Sequence, residues 1–192
     1  MHKNILLKQR AVLSVLIGIS VSGCSGGSIN WQEEVNLSDG RIIVVDREAI
    51  YVSGGDEWAS NHDLKKIDGH RIRFVSSDAP NAVVEWKSTK KDLMTYPETP
   101  LIFDLPNNEP TVFSLVAISL GCEVYSKYVY RNNVWVEEEL PANFEQHTTN
   151  LLFGSKKDMP ERLTLAEKAK RNSDSGYRKA LKQVGPSRKV CG

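Results

Sequence analysis

The sequence predicts an α+β fold, in which a mainly antiparallel β-sheet body is followed by two C-terminal helices. Short apolar or alternating segments, separated by turn residues, fill the chain between residues 31 and 140, and this pattern is typical of antiparallel strands. Beyond Pro141 the pattern ends, and apolar residues recur at helical spacing near the C-terminus. Strands first and helices last favour an α+β domain, or a small β-sheet body with a helical appendage.

An Asp-Gly dipeptide predicts the first β-hairpin. Asp39-Gly40 lies between two strand-like segments and is typical of a type I′ turn, because both residues of such a turn need positive φ. In that register Leu37 faces Ile42. Val35 faces Val44 on the same side, so one face of the hairpin is expected to be apolar and half-buried.

Asn132-Asn133 predicts a second hairpin with a two-residue turn. The implied pairs are Tyr130 with Trp135, Val129 with Val136, Tyr128 with Glu137 and Lys127 with Glu138. Aromatic and opposite-charge cross-strand pairs each stabilise a sheet by roughly 0.2–1 kcal/mol. This pairing therefore predicts both the register of the hairpin and the side on which its aromatic residues lie.

The remaining elements are predicted from composition and periodicity. Further strands are expected at Arg71–Val75, Ala82–Lys87, Leu101–Leu105 and Thr111–Leu120, and the turn-rich stretch from Ser53 to Gly69 predicts a loop. Thr111–Leu120 is β-branched and apolar, as in a central strand buried on both faces. Pro160 suits the first turn of a helix that runs to about Arg171. Ser173 can cap a second helix, with apolar positions at Tyr177, Ala180, Leu181 and Val184.

The N-terminus has the order of a secretory signal peptide. A basic opening without carboxylates precedes an uncharged apolar run from residue 11 to residue 23. Val21-Ser22-Gly23-Cys24 closes this run and resembles the lipobox of bacterial lipoproteins. The resemblance implies that Cys24 receives a thioether-linked diacylglyceryl group and becomes the mature N-terminus. An ordinary signal peptide with a chance cysteine, or an uncleaved anchor, is the alternative.

This signal divides the chain into four parts. Residues 1–23 are the lipoprotein signal peptide, 24–30 a flexible tether, 31–155 the β-rich domain, and 156–192 a basic helical segment packed on the β body. Ser25, rather than Asp, after the lipidated cysteine resembles lipoproteins sorted to the outer membrane of Gram-negative bacteria. We therefore expect a lipid-anchored protein of the cell envelope, on the periplasmic face of the outer membrane if the source is Gram-negative.

Two cysteines remain once Cys24 is assigned to lipidation. In an oxidising periplasm Cys122 and Cys191 are expected to form a disulfide, with two free thiols or a metal site as the alternatives. This bond would close a loop of roughly 70 residues and stabilise the fold by about 4 kcal/mol in the chain-entropy model.

Charge is distributed unevenly along the chain. The first 23 residues hold three of the 25 basic residues and none of the 24 acidic ones, so the mature chain is close to neutral and no nucleic-acid partner is expected. Residues 156–192 carry 11 basic residues against four acidic ones. The side chains expected to contact anionic lipid are Lys168, Lys170, Arg171, Arg178, Lys179 and Lys182. Docking of this segment on the acidic β body is the alternative.

The sequence contains no catalytic constellation. His62, His70 and His147 lack the spacing of a zinc site, so neither a metal nor another cofactor is expected. Adjacent carboxylates such as Glu33 and Glu34 point to opposite faces of a strand, and we expect them to be solvated or to protect a sheet edge. A candidate binding face is formed by Tyr128, Tyr130 and Trp135, which would suit a glycan or protein partner if exposed and would otherwise be core under the C-terminal helices.

Three stretches resemble the small, functionally uncharacterised lipoproteins of proteobacteria: the lipobox, residues 31–41 and residues 120–135. The resemblance implies no activity, cofactor or catalytic residue. We therefore expect a non-enzymatic, lipid-anchored envelope protein with a binding or structural role. Its expected partners are the membrane, through the lipid on Cys24, and an envelope protein or glycan. An envelope hydrolase that uses paired carboxylates and an anchored inhibitor or exclusion factor are the alternatives.

Overall fold

The structure is a computed structural model. It describes residues 27–53, 65–75, 82–92, 94–118, 122–144, 147–153, 159–173 and 189–190. The strands are β1 (Gly27–Asn36), β2 (Ile42–Ser53), β3 (Lys65–Val75), β4 (Val83–Lys87), β5 (Thr99–Asp104), β6 (Thr111–Ile118), β7 (Cys122–Arg131), β8 (Val134–Glu138), β9 (Arg162–Leu163) and β10 (Lys189–Val190). A 3₁₀ turn covers Pro106–Asn108, and helix α1 covers Leu165–Ser173.

These strands form two sheets. The first sheet has the order β4-β3-β2-β1-β9, and the second has the order β10-β7-β6-β5, with β8 also paired to β7. The long strands pair with their neighbours in antiparallel fashion, whereas the two-residue strands β9 and β10 are parallel to β1 and β7. The described residues therefore confirm the predicted antiparallel β body.

The two sheets share one hydrophobic core. Phe74 of the first sheet meets Phe103 of the second with ring centroids 4.8 Å apart, and Trp86 meets Tyr128 at 5.9 Å. Leucine and valine side chains from both sheets and from the segments beside them fill the space around these rings: Val35, Leu37, Val45, Val84, Leu105, Val112 and Leu151. Burial of this apolar surface is the main force that holds the sheets together.

The second hairpin is as predicted, and so is the central strand over its described residues, Thr111–Ile118. Tyr130 pairs with Trp135 and Lys127 with Glu138 around Asn132-Asn133, and both turn residues have positive φ, 51° and 64°. β6 lies between β5 and β7, and its residues 111 to 116 are all buried. A strand with a sheet neighbour on each edge and a packed layer on each face has no position for a solvated side chain.

The register predicted for the first hairpin is wrong by one residue. Val35 pairs with Ile43, rather than with Val44, because the turn contains three residues and not two. The Leu37 N–H donates to the Arg41 carbonyl oxygen at 2.8 Å, and Gly40 has φ of 85°, as in a type I turn followed by a glycine bulge. A one-residue shift exchanges the faces of a strand, and Ile42 therefore points to solvent.

The sheet begins earlier than the sequence predicts. β1 starts at Gly27, so residues 27–30 belong to the first sheet and not to the predicted tether of residues 24–30. Gly27 pairs with Tyr51 near the end of β2, and Ile29 packs against a cluster that contains Trp31 and Leu163. The long β2 strand supplies a hydrogen-bonding partner for these N-terminal residues, and this long-range pairing leaves no local signal in a Gly-Ser sequence.

The C-terminal region differs from prediction within the described residues. Helix α1 begins at Leu165 rather than at Pro160, because Arg162–Leu163 pair with β1 as strand β9. Thr164 caps the helix, since its Oγ1 accepts the Glu167 N–H at 3.2 Å. A Thr-x-x-Glu pattern is the signature that marks this start. The predicted second helix runs from Ser173 to Val184. Ser173 is the last residue of α1, and the remainder of this helix, residues 174–184, lies outside the described residues, so the second helix stays a prediction.

A buried ionic cluster fixes α1 on the first sheet. Glu33 is fully buried on β1, so the expectation that this carboxylate is solvated is wrong, although Glu34 does point to the opposite, outer face. The Glu33 Oε2 accepts the Arg47 Nη1 at 2.8 Å, and Oε1 lies 2.9 Å from the Lys168 Nζ. Arg47 and Lys168 are themselves buried, and burial lowers the pKa of both side chains while Glu33 acts to raise it.

Lys168 therefore cannot serve as the lipid contact that the sequence predicts. Its ammonium group donates to the Asn150 carbonyl oxygen at 2.6 Å and has no exposed surface. The side chain lies on the inner face of α1, where the neighbouring carboxylate balances its charge. The long stem of the lysine reaches into the cluster, and its helix position gave no sign of this contact.

Replacing Lys168 with Met should destabilise the protein by about 3–5 kcal/mol, because Glu33 would keep a buried charge with one cation fewer. Lys170→Met is the matched control, because Lys170 is an exposed lysine of the same helix, and we expect it to change the free energy of unfolding by at most about 1 kcal/mol, as for exposed charges with a partner. Urea unfolding followed by circular dichroism measures both. Equal stability of the two variants would contradict this account of the cluster.

A histidine beside this cluster should make stability depend on pH. His70 is buried on β3, and burial together with the charge of Arg47 lowers the pKa of His70 to about 3. A histidine in the unfolded chain has a pKa of about 6.5, so between these two pKa values the unfolded chain binds a proton that the folded chain does not. The free energy of unfolding should therefore fall as the pH falls, by up to about 1.4 kcal/mol per pH unit.

In His70→Gln this contribution is absent, so stability should decline less steeply than in the wild type between about pH 6.5 and about pH 4. Urea unfolding at successive pH values measures the two slopes. Parallel slopes in the two proteins would show that His70 is not buried in its neutral form.

Candidate functional site

An aromatic cleft lies where the edge of the first sheet meets β7 and β8 of the second. We call it the seam cleft. Its volume is about 450 Å³, which is in the range of small-molecule sites. The lining residues are Glu85, Trp86, Lys87, Thr89, Tyr128, Trp135 and Glu137. Aromatic rings thus form its walls, and charged side chains form its rim.

Trp135 closes one side of the seam cleft and joins the two sheets. Its Nε1 donates to the carbonyl oxygen of Glu85 on β4 at 2.7 Å. The ring also packs on Tyr130 across the β7–β8 hairpin, with centroids 5.2 Å apart. Trp135 is the only aromatic residue of β8. Because alternate residues of a strand point to opposite sides, Trp135 and Glu137 lie on the same side of β8, and both line the cleft. It is only partly buried, which leaves part of the indole open to a ligand.

Tyr128 forms the back wall of the seam cleft. The side chain is buried, and its hydroxyl donates to Oε2 of Glu98 at 3.0 Å. Burial raises the pKa of Tyr128, with the nearby carboxylate acting in the same direction, so the phenol is neutral near physiological pH. Lys90 lies over the same ring, with Nζ 5.7 Å from the ring centroid. Tyr128 is therefore held rigidly and offers the cleft a fixed apolar surface.

Glu98 anchors the segment that forms the floor of this region. The carboxylate is completely buried and accepts the Thr89 N–H at 2.6 Å and the Ser114 hydroxyl at 2.7 Å, in addition to the Tyr128 hydroxyl. These donors come from the segment after β4, from β6 and from β7. One carboxylate thus joins three parts of the chain, and it keeps Thr89 in place at the cleft wall.

Two glutamates among the lining residues, Glu85 and Glu137, are held in their ionised form, although the Glu85 carboxylate pairs with Arg71 and Arg73 on the outer face of β4. Burial acts to raise the pKa of Glu85, but hydrogen bonds from Arg73 and Lys87 outweigh this effect, and the pKa lies below its ordinary value. A hydrogen bond from Lys90 lowers the pKa of Glu137. An ionised carboxylate accepts hydrogen bonds and cannot donate a proton. The rim is therefore suited to a ligand that carries hydroxyl or amide donors.

The predicted aromatic face is only partly available for binding. Tyr128 belongs to the core between the sheets, and Tyr130 and Trp135 are partly buried against the same core. The three residues do not form an open face, and among the described residues the opposite sheet covers them, rather than C-terminal helices. Tyr128 and Trp135 do, however, line the seam cleft.

Sequence reasoning missed Trp86, Glu85 and Glu98. Trp86 alternates with Val84 as an inward residue of the predicted strand Ala82–Lys87, so the period of the strand could have identified it. Glu98 lies between Pro97 and Thr99, outside any strand, and no local pattern distinguishes it from a solvated carboxylate.

Most of the other residues singled out in the sequence lie outside the seam cleft. Lys170 is exposed on α1, and Arg171 pairs with Glu167 at 3.0 Å. Arg178, Lys179 and Lys182 lie outside the described residues, as do His62, Cys24 and Cys191. Cys122 is the first residue of β7, and its backbone pairs with Lys189 of β10. Lys189 precedes Cys191 by two residues in the sequence. The disulfide between Cys122 and Cys191 stays a prediction.

A second cleft of about 450 Å³ lies beside Asn36, Ile102 and Leu165. His147 lines this cleft, and its ring contacts the ring of Phe113 in a tilted arrangement, with centroids 5.7 Å apart. Serine, threonine and asparagine supply most of its polar groups, and Asp104 supplies a carboxylate. The seam cleft combines aromatic walls with fixed charges, and we therefore take it as the candidate functional site.

Among the residues that the structure describes, no group of three His, Cys, Asp or Glu side chains is placed to hold a metal ion. No helix in this same part of the chain has the length and apolar character needed to cross a membrane. Comparison of the chain with family models, with curated proteins and with solved structures gives no match. The similarity to proteobacterial lipoproteins therefore stays a prediction.

Proposed function

We propose that this chain is a lipid-anchored protein of the cell envelope whose β domain binds a glycan in the seam cleft, without catalysing a reaction. The observation that carries this proposal is the partly open Trp135 ring in the lining of the seam cleft, on the same side of β8 as the ionised Glu137. An indole face packs against the C–H face of a sugar ring, and a carboxylate at the rim accepts hydrogen bonds from its hydroxyl groups.

The geometry of the seam cleft supports binding more than hydrolysis. A glycosidase needs one carboxyl group that is protonated at the working pH, and enzymes obtain it by raising a pKa. Glu85 and Glu137 have pKa values below the ordinary range, because each carboxylate accepts hydrogen bonds from cationic side chains. Neither group can act as the general acid near neutral pH. The hydrolase alternative therefore has less support at this cleft.

The N-terminal sequence supports the location. Lys3, Lys8 and Arg10 precede the apolar run that ends in Val21-Ser22-Gly23-Cys24. Lipidation of Cys24 would hold the domain at the membrane surface, on the side where cell-wall glycans are found. Ser25 favours the outer membrane in a Gram-negative cell.

Replacing Cys24 with Ser should release the protein from the membrane, because the hydroxyl cannot form the thioether to the lipid. Cell fractionation and immunoblotting measure the distribution, and Ser25→Ala is the matched control, for which we expect membrane association to persist. If the Cys24→Ser protein stays in the membrane fraction as fully as the wild type, the anchor is not the lipid on Cys24.

Replacing Trp135 with Leu should weaken glycan binding by at least about tenfold, or about 1.4 kcal/mol, because the stacking surface of the cleft is lost. Isothermal titration calorimetry with soluble peptidoglycan fragments measures the affinity. Tyr96→Leu, in an exposed aromatic residue outside the cleft, is the matched control.

Glu137→Gln provides a second variant, since it keeps the size of the side chain and leaves the core untouched. It should weaken binding by removing the charged acceptor at the rim. Absence of saturable binding by the wild-type protein, or equal affinities for the wild type and both cleft variants, would overturn the glycan proposal.

A further inference from the structure

The start of β1 lies very close in the sequence to the proposed lipid anchor. Only Ser25 and Gly26 separate Cys24 from Gly27, so the Cα atoms of Cys24 and Gly27 are at most about 11 Å apart. Gly27 belongs to the first sheet and pairs with Tyr51. The end of the domain that contains Gly27 must therefore remain within this distance of a lipidated Cys24.

Five exposed or partly exposed side chains cluster at this end. We call them the basal patch: Val52, Lys65, Lys66, Met94 and Tyr96. Lys65 is the first residue of β3, and its side chain lies beside the first residue of β1, since a Cβ placed on Gly27 would be 3.5 Å from the Lys65 Nζ. Val52 pairs with Lys66 across the β2–β3 ladder. The patch thus spans the corner of the sheet that contains Gly27.

Lys66 connects this corner to the loop that follows β4. Its Nζ donates to the Met94 carbonyl oxygen at 2.7 Å and lies 4.8 Å from the centre of the Tyr96 ring. The Asp92 Oδ1 accepts the N–H groups of Met94 and Tyr96 at 2.9 and 2.8 Å. The loop is therefore held in a defined turn that presents Met94 and Tyr96 outward.

The chemistry of the basal patch is that of a membrane interface. Met94 is 59% exposed, Tyr96 49% and Val52 37%, although all three side chains are largely apolar. Tyrosine rings favour the boundary between acyl chains and headgroups, and lysine stems extend over apolar surface with the ammonium group at the headgroups.

Among the described residues, two acidic groups near the basal patch are already engaged. Asp68 forms an ion pair with Lys91, and Asp92 is directed towards backbone N–H groups of its own turn. Within the part of the chain that the structure describes, Lys65 and Lys66 therefore supply the positive charge at this corner. Such charge favours a surface that contains anionic phospholipids.

We infer that the basal patch rests on the bilayer that carries the lipid anchor, with Met94, Tyr96 and Val52 at the level of the headgroups and Lys65 and Lys66 against anionic phosphates. The inference rests on the proposed lipidation of Cys24. The domain then has a fixed orientation on the membrane and does not swing on a flexible tether.

Spin labels at two positions test the orientation. Met94→Cys places a label in the basal patch, and Ile42→Cys places one beside the first hairpin, at the opposite end of β1 and β2. The two positions are matched, because Met94 and Ile42 are each 59% exposed. Each full chain is expressed with its signal sequence, and mass spectrometry establishes whether Cys24 carries lipid. A protein without the added cysteine gives the background labelling.

The labelled proteins are reconstituted in vesicles of phosphatidylethanolamine and phosphatidylglycerol, and collisions with a water-soluble nickel complex are measured by electron paramagnetic resonance. We expect a several-fold lower collision rate at position 94 than at position 42, and equal rates in detergent-free solution after removal of the lipid anchor. Lys65→Glu together with Lys66→Glu should raise the rate at position 94.

The outcomes separate this inference from the proposed function. If Cys24 carries lipid and positions 94 and 42 show equal collision rates on vesicles, the basal patch does not rest on the bilayer, while the lipid anchor stands. If Cys24 carries no lipid, the anchor itself is wrong and the inference fails with it. Lower rates at position 94 that do not change with Lys65→Glu and Lys66→Glu would overturn the role of the lysines.

Discussion

The hydrogen bonds and ion pairs of the buried Glu33 carboxylate join helix α1 and the segment around Leu152 to the first sheet. Oε1 accepts the Leu152 N–H at 2.6 Å and faces Lys168 of α1, while Oε2 accepts from Arg47 of β2 and from the indole of Trp31. One side chain of β1 thus contacts both the segment around Leu152 and helix α1. Buried ion pairs seldom add much net stability, but they do specify one arrangement, since any other leaves a charge unpaired.

Glu98 performs the same task in the other half of the domain. Both glutamates lie beside a stretch without regular secondary structure, where backbone N–H groups lack strand partners. In each case a carboxylate supplies the missing acceptors and draws the stretch onto the sheet. Only one of the two stretches contributes to the candidate site: the stretch beside Glu98 includes Thr89, which lines the seam cleft. The rigidity of this cleft is therefore a consequence of how an irregular segment satisfies its hydrogen bonds.

The sequence allows prediction of those features that depend on local chemistry. Asn132 and Asn133 both adopt positive φ readily, and the pairing of Tyr130 with Trp135 follows from the turn alone. Asp39-Gly40 marks a turn equally well, but the number of loop residues depends on how the strands twist, and the register was therefore off by one. Glu33 and Lys168 resemble surface residues in the sequence, because burial of a charge depends on partners far along the chain. The seam cleft was predicted only through Tyr128 and Trp135, since its other wall comes from β4.

If Cys24 carries a lipid as proposed, the early start of β1 also limits how far this domain can extend from the membrane. β1 contains ten residues and is roughly 30 Å long, and with Cys24 lipidated almost nothing lies between its first residue and the lipid. A lipoprotein with a long linker can reach partners far from the membrane surface, whereas this domain would reach only those within about its own diameter of that surface. A glycan strand could then be bound only where the wall approaches the membrane closely. The fraction of the protein with bound glycan would then depend on the distance between the cell wall and the membrane, as well as on the affinity of the seam cleft for the glycan.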